Sequence, residues 1–502
     1  MKNTLFIPLI LVLLSFSGYA QEQFRGELHP GSFPALEQYF YSASVYQFDA
    51  GALAEAAREA GQLDFQLQLG SQHDWPVSIV ANDMRTDDYK LRAMTENGVV
   101  EYPRSYVRTF KGYMENGENS VRLTLDNHFL YGYIEEGDVR WFVEPLRTFV
   151  KGQSPDLFVV YRERDVVPYE GNFCAASEMI GRDPVPHNQQ QDRSANNCWE
   201  VELAIASDYL MFVEYNMDIA QVEAQTEGVM NNVQGNYDDE FGDNILFNIV
   251  EQFVSICSTC DPWTSSTNAT QLLMSFRNWA PNGFSAEHDL GSLWTDRELD
   301  GSTIGIAYLT AVCTNFGYHV LQDFSTNASF LRVLTAHEIG HNFSCTHDPP
   351  NSNTIMAPAV NNTNTWSSQS FNQVNSYLPS IVEPAGCLAT CPSLNPPVPD
   401  FKALLTNLCP GSSVQFINLS TGNSNSVIWD FPGGNPTVSS DLNPVVTYNN
   451  PGVYSVTLTL FTNQGTFQES KPGYIMVGDD GQEVLFFDNF EAGIAQWSVS
   501  NP

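Results

Sequence analysis

Three histidines and a glutamate in the run Thr335-Ala336-His337-Glu338-Ile339-Gly340-His341-Asn342-Phe343-Ser344-Cys345-Thr346-His347-Asp348 have the types and spacing of a metal site. His337 and His341 stand four residues apart, so on a helix both imidazoles project from one face, one turn apart, and can grip one ion. His347 follows six residues after His341 and falls off that face, so the chain must turn after His341 to bring it back. Three neutral imidazoles leave the fourth position of a tetrahedral Zn2+ open, which marks a catalytic rather than a structural site. Such a site makes water acidic enough to lose a proton near pH ~7. Glu338, beside the first ligand, is placed to take that proton and pass it to a leaving amine. The expected chemistry is hydrolysis of a peptide bond without a covalent intermediate.

The elements that must position these groups follow from hydrophobic periodicity. A helix beginning near Asn327 or Ser329 would carry the two histidines, with Leu331, Val333 and Leu334 on its apolar side. Upstream, Val201 to Ala206 alternates like a strand, and Ile219, Val222, Met230, Val233, Tyr237 and Phe241 fit one helical face. Ile245 to Val250 reads as a second strand, and Leu272, Leu273, Phe276 and Trp279 as another helix. Strands alternating with helices predict a helix-flanked, largely parallel sheet.

The run His337-Glu338-x-x-His341-x-x-Ser344-x-x-His347-Asp348 resembles the metzincin zinc motif, and the Asp after the third His resembles the reprolysin (adamalysin) branch. Ser352-Asn353-Thr354-Ile355-Met356-Ala357-Pro358 resembles the Met-turn of that clan. Trp279, His288-Asp289-Leu290, Gly305-Ile306-Ala307-Tyr308-Leu309 and Cys313 extend the likeness over about 199–391. The resemblance implies an α/β metzincin catalytic domain with a twisted mixed sheet and helices, a zinc endopeptidase. Met356 would form an apolar floor beneath the metal. Gly305, Ile306 and Ala307 would be the edge strand that pairs with an extended substrate, with Ala357 and Pro358 also in the substrate site. The resemblance also admits a structural Ca2+, for which no ligands are assigned. One departure stands out: Ser344 replaces the family glycine, and if that turn needs positive φ a non-glycine costs ~1–2 kcal/mol.

The chain has nine cysteines, an odd number. Cys257 and Cys260 are close enough in sequence to bridge each other, and by the resemblance Cys313 and Cys387 would pair. Cys345 is expected to pair with Cys391 or Cys198. Cys174 lies just before a linker-like stretch and is the candidate cysteine switch, a thiolate in the open zinc position that keeps a precursor latent, as reprolysin propeptides often do.

The rest of the chain supplies context. At about 100–200 residues per domain, 502 residues predict some three domains. Lys2, the apolar run Leu5 to Phe16 and the small residues ending at Ala20 have the order of a secretory signal (1–20), so the protein is read as secreted and extracellular; the resemblance of its Pro432-Gly433-Gly434 segment to secreted bacterial proteins implies a bacterial type. Residues 21–197 are expected to be a β-rich propeptide: Ser120 to Leu125 and Phe129 to Ile134 read as a hairpin, and Gly181 to Asn197 as a linker open to processing. The catalytic domain spans 198–391, a Pro-rich linker 392–399, a β-sandwich 400–478, and 479–502 begins a further β module that breaks off. The sandwich resembles a PKD domain through Cys409-Pro410-Gly411, Trp429-Asp430-Phe431-Pro432-Gly433-Gly434 and Pro451-Gly452-Val453-Tyr454. Its expected role is a spacer, or a binder of an extracellular polymer, with Trp429 in the core. Net charge is −36, and 199–391 holds 22 acids against three arginines and no lysine, about −19. That excludes nucleic-acid and anionic-membrane partners, leaves protein or peptide substrates, and would favour basic ones. A rival reading, prompted by Ser344 and the sandwich, is an inert protease-like adhesion or polymer-binding protein.

Overall fold

Strict alternation builds the first unit. In Gln62–Leu69 every second residue (Leu63, Phe65, Leu67, Leu69) is buried and the residues between them are not, as a strand with one wet face requires. The computed structural model describes residues 22–114, 119–168, 173–174, 198–242, 244–325, 327–382, 385–391, 399–420, 426–441, 443–462 and 465–478. The signal reading, the processing linker, nearly all of the Pro-rich linker and the terminal β module therefore lie outside the described residues.

Eleven strands occupy the N-terminal part: β1 (Glu22–Leu28), β2 (Ala43–Gln47), β3 (Gln62–Leu69), β4 (His73–Ala81), β5 (Arg85–Thr95), β6 (Gly98–Tyr102), β7 (Thr109–Met114), β8 (Ser120–Asp126), β9 (Phe129–Glu136), β10 (Val139–Pro145) and β11 (Leu157–Arg162). Nine close into a barrel in the order β1-β2-β11-β10-β9-β8-β7-β4-β3, which removes free sheet edges. Helix α1 (Ala50–Ala60), started by the Asp49 side chain accepting from Ala52 N at 3.0 Å, buries Leu53, Ala54 and Ala57 in the barrel core. A one-turn helix, α2 (Leu146–Phe149), follows β10.

β5 and β6 leave the barrel. They join the central sheet, formed with β12 (Phe173–Cys174), β13 (Trp199–Ser207), β14 (Ile245–Ser255), β15 (Leu290–Thr295), β16 (Thr303–Ala307) and β17 (Tyr318–Gln322) in the order β12-β16-β17-β15-β13-β14-β5-β6. Short β18 (Ala389–Thr390) also pairs with β13. Strands β13, β14, β15 and β17 run parallel and β16 antiparallel, the mixed sheet expected. The central helices are α3 (Tyr209–Glu214), α4 (Ile219–Phe241), α5 (Ala269–Gly283), α6 (Ala328–Asn342) and α7 (Ser368–Tyr377).

α4 lies between sheet and barrel and is buried on nearly every side. At Gly235 a Cβ would meet the Tyr133 hydroxyl at 2.2 Å, so only glycine permits this approach. One hydrophobic cluster runs from Tyr131, Tyr133 and Tyr161 of the barrel through Val229 and Val233 of α4 to Leu331 and Ile339 of α6. Barrel and central unit thus share a core. The C-terminal part, Phe401 to Val477, is two packed sheets with Trp429 fully buried against Phe401, Phe416 and Phe431. Trp429 is core, as its alternating strand predicts.

Candidate metal centre

The helix that carries the site is fixed at both ends. Asn327 caps α6, its side chain accepting from Ser329 N at 2.9 Å, and Glu144 of the barrel accepts from Ala328 N at 3.0 Å. Arg332, fully buried on α6, donates to Glu163 of the barrel at 2.6 Å and to Asn364 at 2.7 Å. At the far end the chain turns at Ser344, whose φ is +79°, the left-handed region. Ser344 therefore stands where the turn does favour glycine. Thr310, also left-handed at φ +58°, donates to the Ser344 hydroxyl at 3.1 Å.

That turn returns His347 to the histidines of α6. His337 Nε2 lies 3.0 Å from His341 Nε2 and 3.2 Å from His347 Nε2. The other nitrogens are tied back: His337 Nδ1 donates to the Ile355 carbonyl at 2.7 Å and His341 Nδ1 to the Cys345 carbonyl at 2.6 Å. These bonds leave the Nε2 lone pairs facing one another. Cys174 Sγ lies 3.3 Å from His341 Nε2, and one ligating atom from each of the four residues lies within 4.8 Å of the others. Tetrahedral zinc at its usual bond lengths needs N···N of about 3.3 Å and N···S of about 3.6 Å. The donor set fits zinc in both type and spacing. Burial, then the neighbouring imidazoles, holds His337 well below the usual histidine range and His341 down to about 3. His347 is lowered chiefly by burial. Neutral imidazoles are the ligating form. Among the described residues no second group of three or more His, Cys, Asp or Glu side chains converges in this way.

Glu338 faces the same space. Burial pushes its carboxyl up to about 8, and the Cys174 thiol offsets part of the rise. Apart from that thiol neither oxygen has a hydrogen-bond partner. Opposite lies Gly305 of β16, where a Cβ would stand 2.3 Å from Glu338 Oε1. Ile306 and Ala307 continue β16 as buried residues. β12 pairs with β16 in parallel, Cys174 opposite Gly305, and Cys174 N donates to the Pro358 carbonyl at 3.1 Å. Cys174 thus sits between the two segments named for substrate, Gly305–Ala307 and Ala357–Pro358.

Met356 is fully buried under the α6 histidine turn: a Cβ on Gly340 would meet its Sδ at 2.8 Å. Asp348 anchors the third-histidine loop, accepting from the Thr354 and Ser367 hydroxyls at 2.6 Å each, while its N–H donates to the Met356 carbonyl at 2.8 Å. Thr354 and Ser367 carry no sequence signal of this role, nor do Glu144 and Glu163, which reach α6 from more than 160 residues away.

The disulfides are Cys198–Cys391, Cys257–Cys260 and Cys313–Cys387. The expectation for Cys345 is corrected: its two candidate partners bridge each other. Cys345 is buried, with its thiol donating to the Ser370 carbonyl and its pKa raised by burial beyond the ordinary range. It is core. Three bridges suit an oxidising compartment, and among the described residues no helix is long and apolar enough to cross a membrane.

Residues 199–378 match a reprolysin-type model of metallo-peptidase family M12, a family of zinc enzymes acting on peptides and proteins, and residues 395–477 match the PKD domain model. The chain therefore carries a reprolysin-like M12 metalloprotease segment at 199–378, with a PKD domain behind it at 395–477.

Proposed function

We propose that the chain is a secreted zinc endopeptidase made as a latent precursor, with residues 21–197 as propeptide and 198–391 as catalytic domain. The observation that carries this reading is the convergence of His337, His341 and His347 with Glu338 beside them and Cys174 at the remaining side. Zinc, when bound, supplies Lewis acidity toward water and toward the scissile carbonyl. His337, His341 and His347 would hold it, with Met356 packed beneath. A substrate strand added to the edge of β16 would align its peptide bond over the histidines, between Gly305–Ala307 and Ala357–Pro358. Glu338 takes the proton of the attacking water on a carboxylate oxygen and returns it to the departing amine. Cys174 lies where that substrate strand would lie, so the same residue blocks the cleft and can occupy the open ligand position. Scission within 181–197 would allow it to leave. The buried Trp429 offers no platform for a polymer, which supports the spacer role for the PKD domain.

The test is zinc content together with cleavage of a mixed peptide pool, before and after the linker is cut. The expected result is one zinc per chain throughout, with cleavage appearing only after the cut. Glu338→Ala should keep zinc and lose several orders of magnitude in rate. Bound zinc with no cleavage in either state would refute the enzyme reading and favour the inert adhesion protein.

A further inference from the structure

The outer edge of the protease sheet, four strands away from β16 and so about 19 Å from it, is not bare. β5 lies along β14 in parallel, Lys90 opposite Glu251 and Arg92 opposite Phe253. Beside this edge α4 presents Glu223 and Glu227, one turn apart and both buried. Arg108 Nη1 lies 2.9 Å from Glu223, and Arg85 Nη1 is 3.6 and 3.5 Å from Glu223 and Glu227. Glu223 also accepts from the Tyr89 and Ser105 hydroxyls at 2.9 Å.

Glu251 shows that the protease itself builds this site. One carboxylate oxygen accepts from Ser285 N, Ser285 Oγ and Ala286 N at 2.7–2.9 Å, all within the protease. The other points outward and meets Arg92 of β5 at 2.7 Å. The wider charge pattern agrees. Residues 21–198 hold 16 of the chain's 22 lysines and arginines, whereas 199–391 holds three.

We propose that the β14 edge, with Glu223, Glu227 and Glu251, is a second peptide-binding site of the protease, separate from the cleft, which takes an extended segment bearing arginines. Its occupant is the β5–β6 hairpin of the chain's own barrel, and this docking keeps the barrel bound after the linker is cut. The inference rests on the reading of 181–197 as the processing linker.

The experiment uses the full chain with a specific cleavage sequence placed in that linker, in a Cys174→Ala background so that the metal centre cannot hold the barrel. After cutting, the barrel should co-elute with the protease in size exclusion at 50 mM NaCl. Arg92→Ala should weaken retention at least tenfold and Arg92→Lys should recover part of it. Arg92 is the choice because, unlike Arg85 and Arg108, it is not wholly buried. Separation of the Cys174→Ala barrel at low salt, or unchanged retention of Arg92→Ala, would overturn the proposal. Elution reads binding alone, so absence of peptide cleavage would count against the enzyme reading and not against this site.

Discussion

Gly305→Ala tests how the Glu338 carboxylate is housed. Gly305 lies outside the left-handed region, so its backbone accepts alanine and the effect is steric alone. The added Cβ would stand 2.3 Å from Glu338 Oε1, 2.9 Å from Glu338 Cδ and 2.7 Å from Leu334 Cδ1. Ordinary carbon–oxygen contact begins near ~3.4 Å, so the carboxylate must retreat by about 1 Å, and a misplacement of that size can cost about 10²-fold in rate. His337 and His341 keep their carbonyl partners at Ile355 and Cys345, so zinc should stay. The assay is kcat/KM on a quenched fluorescent peptide after the linker is cut, with zinc measured on the same sample. We expect kcat to fall about 100-fold with KM little changed and zinc at one equivalent. Wild-type kcat would refute the assigned placement of Glu338, and loss of zinc would refute the separation of base from ligands.

Ser344→Gly should leave activity intact and stability within ~1 kcal/mol, because relief of the left-handed strain is offset by the lost Thr310 contact and the greater freedom of glycine when unfolded. Ser344→Val should cost ~2 kcal/mol, a fall in melting temperature of about 4–8 °C for a domain of this size; an unchanged melting temperature would contradict the turn geometry. Cys174→Ala should give peptide cleavage from the uncut precursor, and a precursor that stays fully latent would sink the cysteine switch. Burial pushes Glu144 from 4.5 up to about 8, so the folded chain keeps a proton that the unfolded chain has lost, and this residue's contribution to stability falls as pH rises from about 4.5 to 8. Glu144→Gln keeps an acceptor for Ala328 N. It should gain stability relative to wild type between pH 5 and 8, a comparison in which the titration of the histidines cancels; a constant difference would refute the shift.

The centre of the site was legible because its signals are local. His337, Glu338 and His341 share one helix turn, and the helix start near Asn327 or Ser329 followed from its apolar face. The alternating strands of the barrel and the Trp429 strand were readable for the same reason. What escaped depends on residues far apart in the chain. Nothing local in Arg85–Tyr102 distinguishes a barrel strand from one donated to another sheet. Glu144 and Glu163 have no visible partner until the barrel is set against α6. Cys345 looked available for a bridge because burial inside the third-histidine loop has no sequence mark. The acid excess of 199–391 reads in sequence as a preference for basic substrates. Part of it proves to be Glu223, Glu227, Asp238, Asp239 and Glu251, each paired with an arginine of the N-terminal part of the chain.

Zinc K-edge X-ray absorption on the precursor and on the cut enzyme tests the account most directly, because the central claim is one metal held by three imidazoles with Cys174 as a removable fourth ligand. The precursor should show three nitrogen scatterers at about 2.0 Å and one sulfur at about 2.3 Å, and the sulfur should vanish when the cleft is freed. A precursor without zinc, or one whose zinc has no sulfur neighbour, would contradict it.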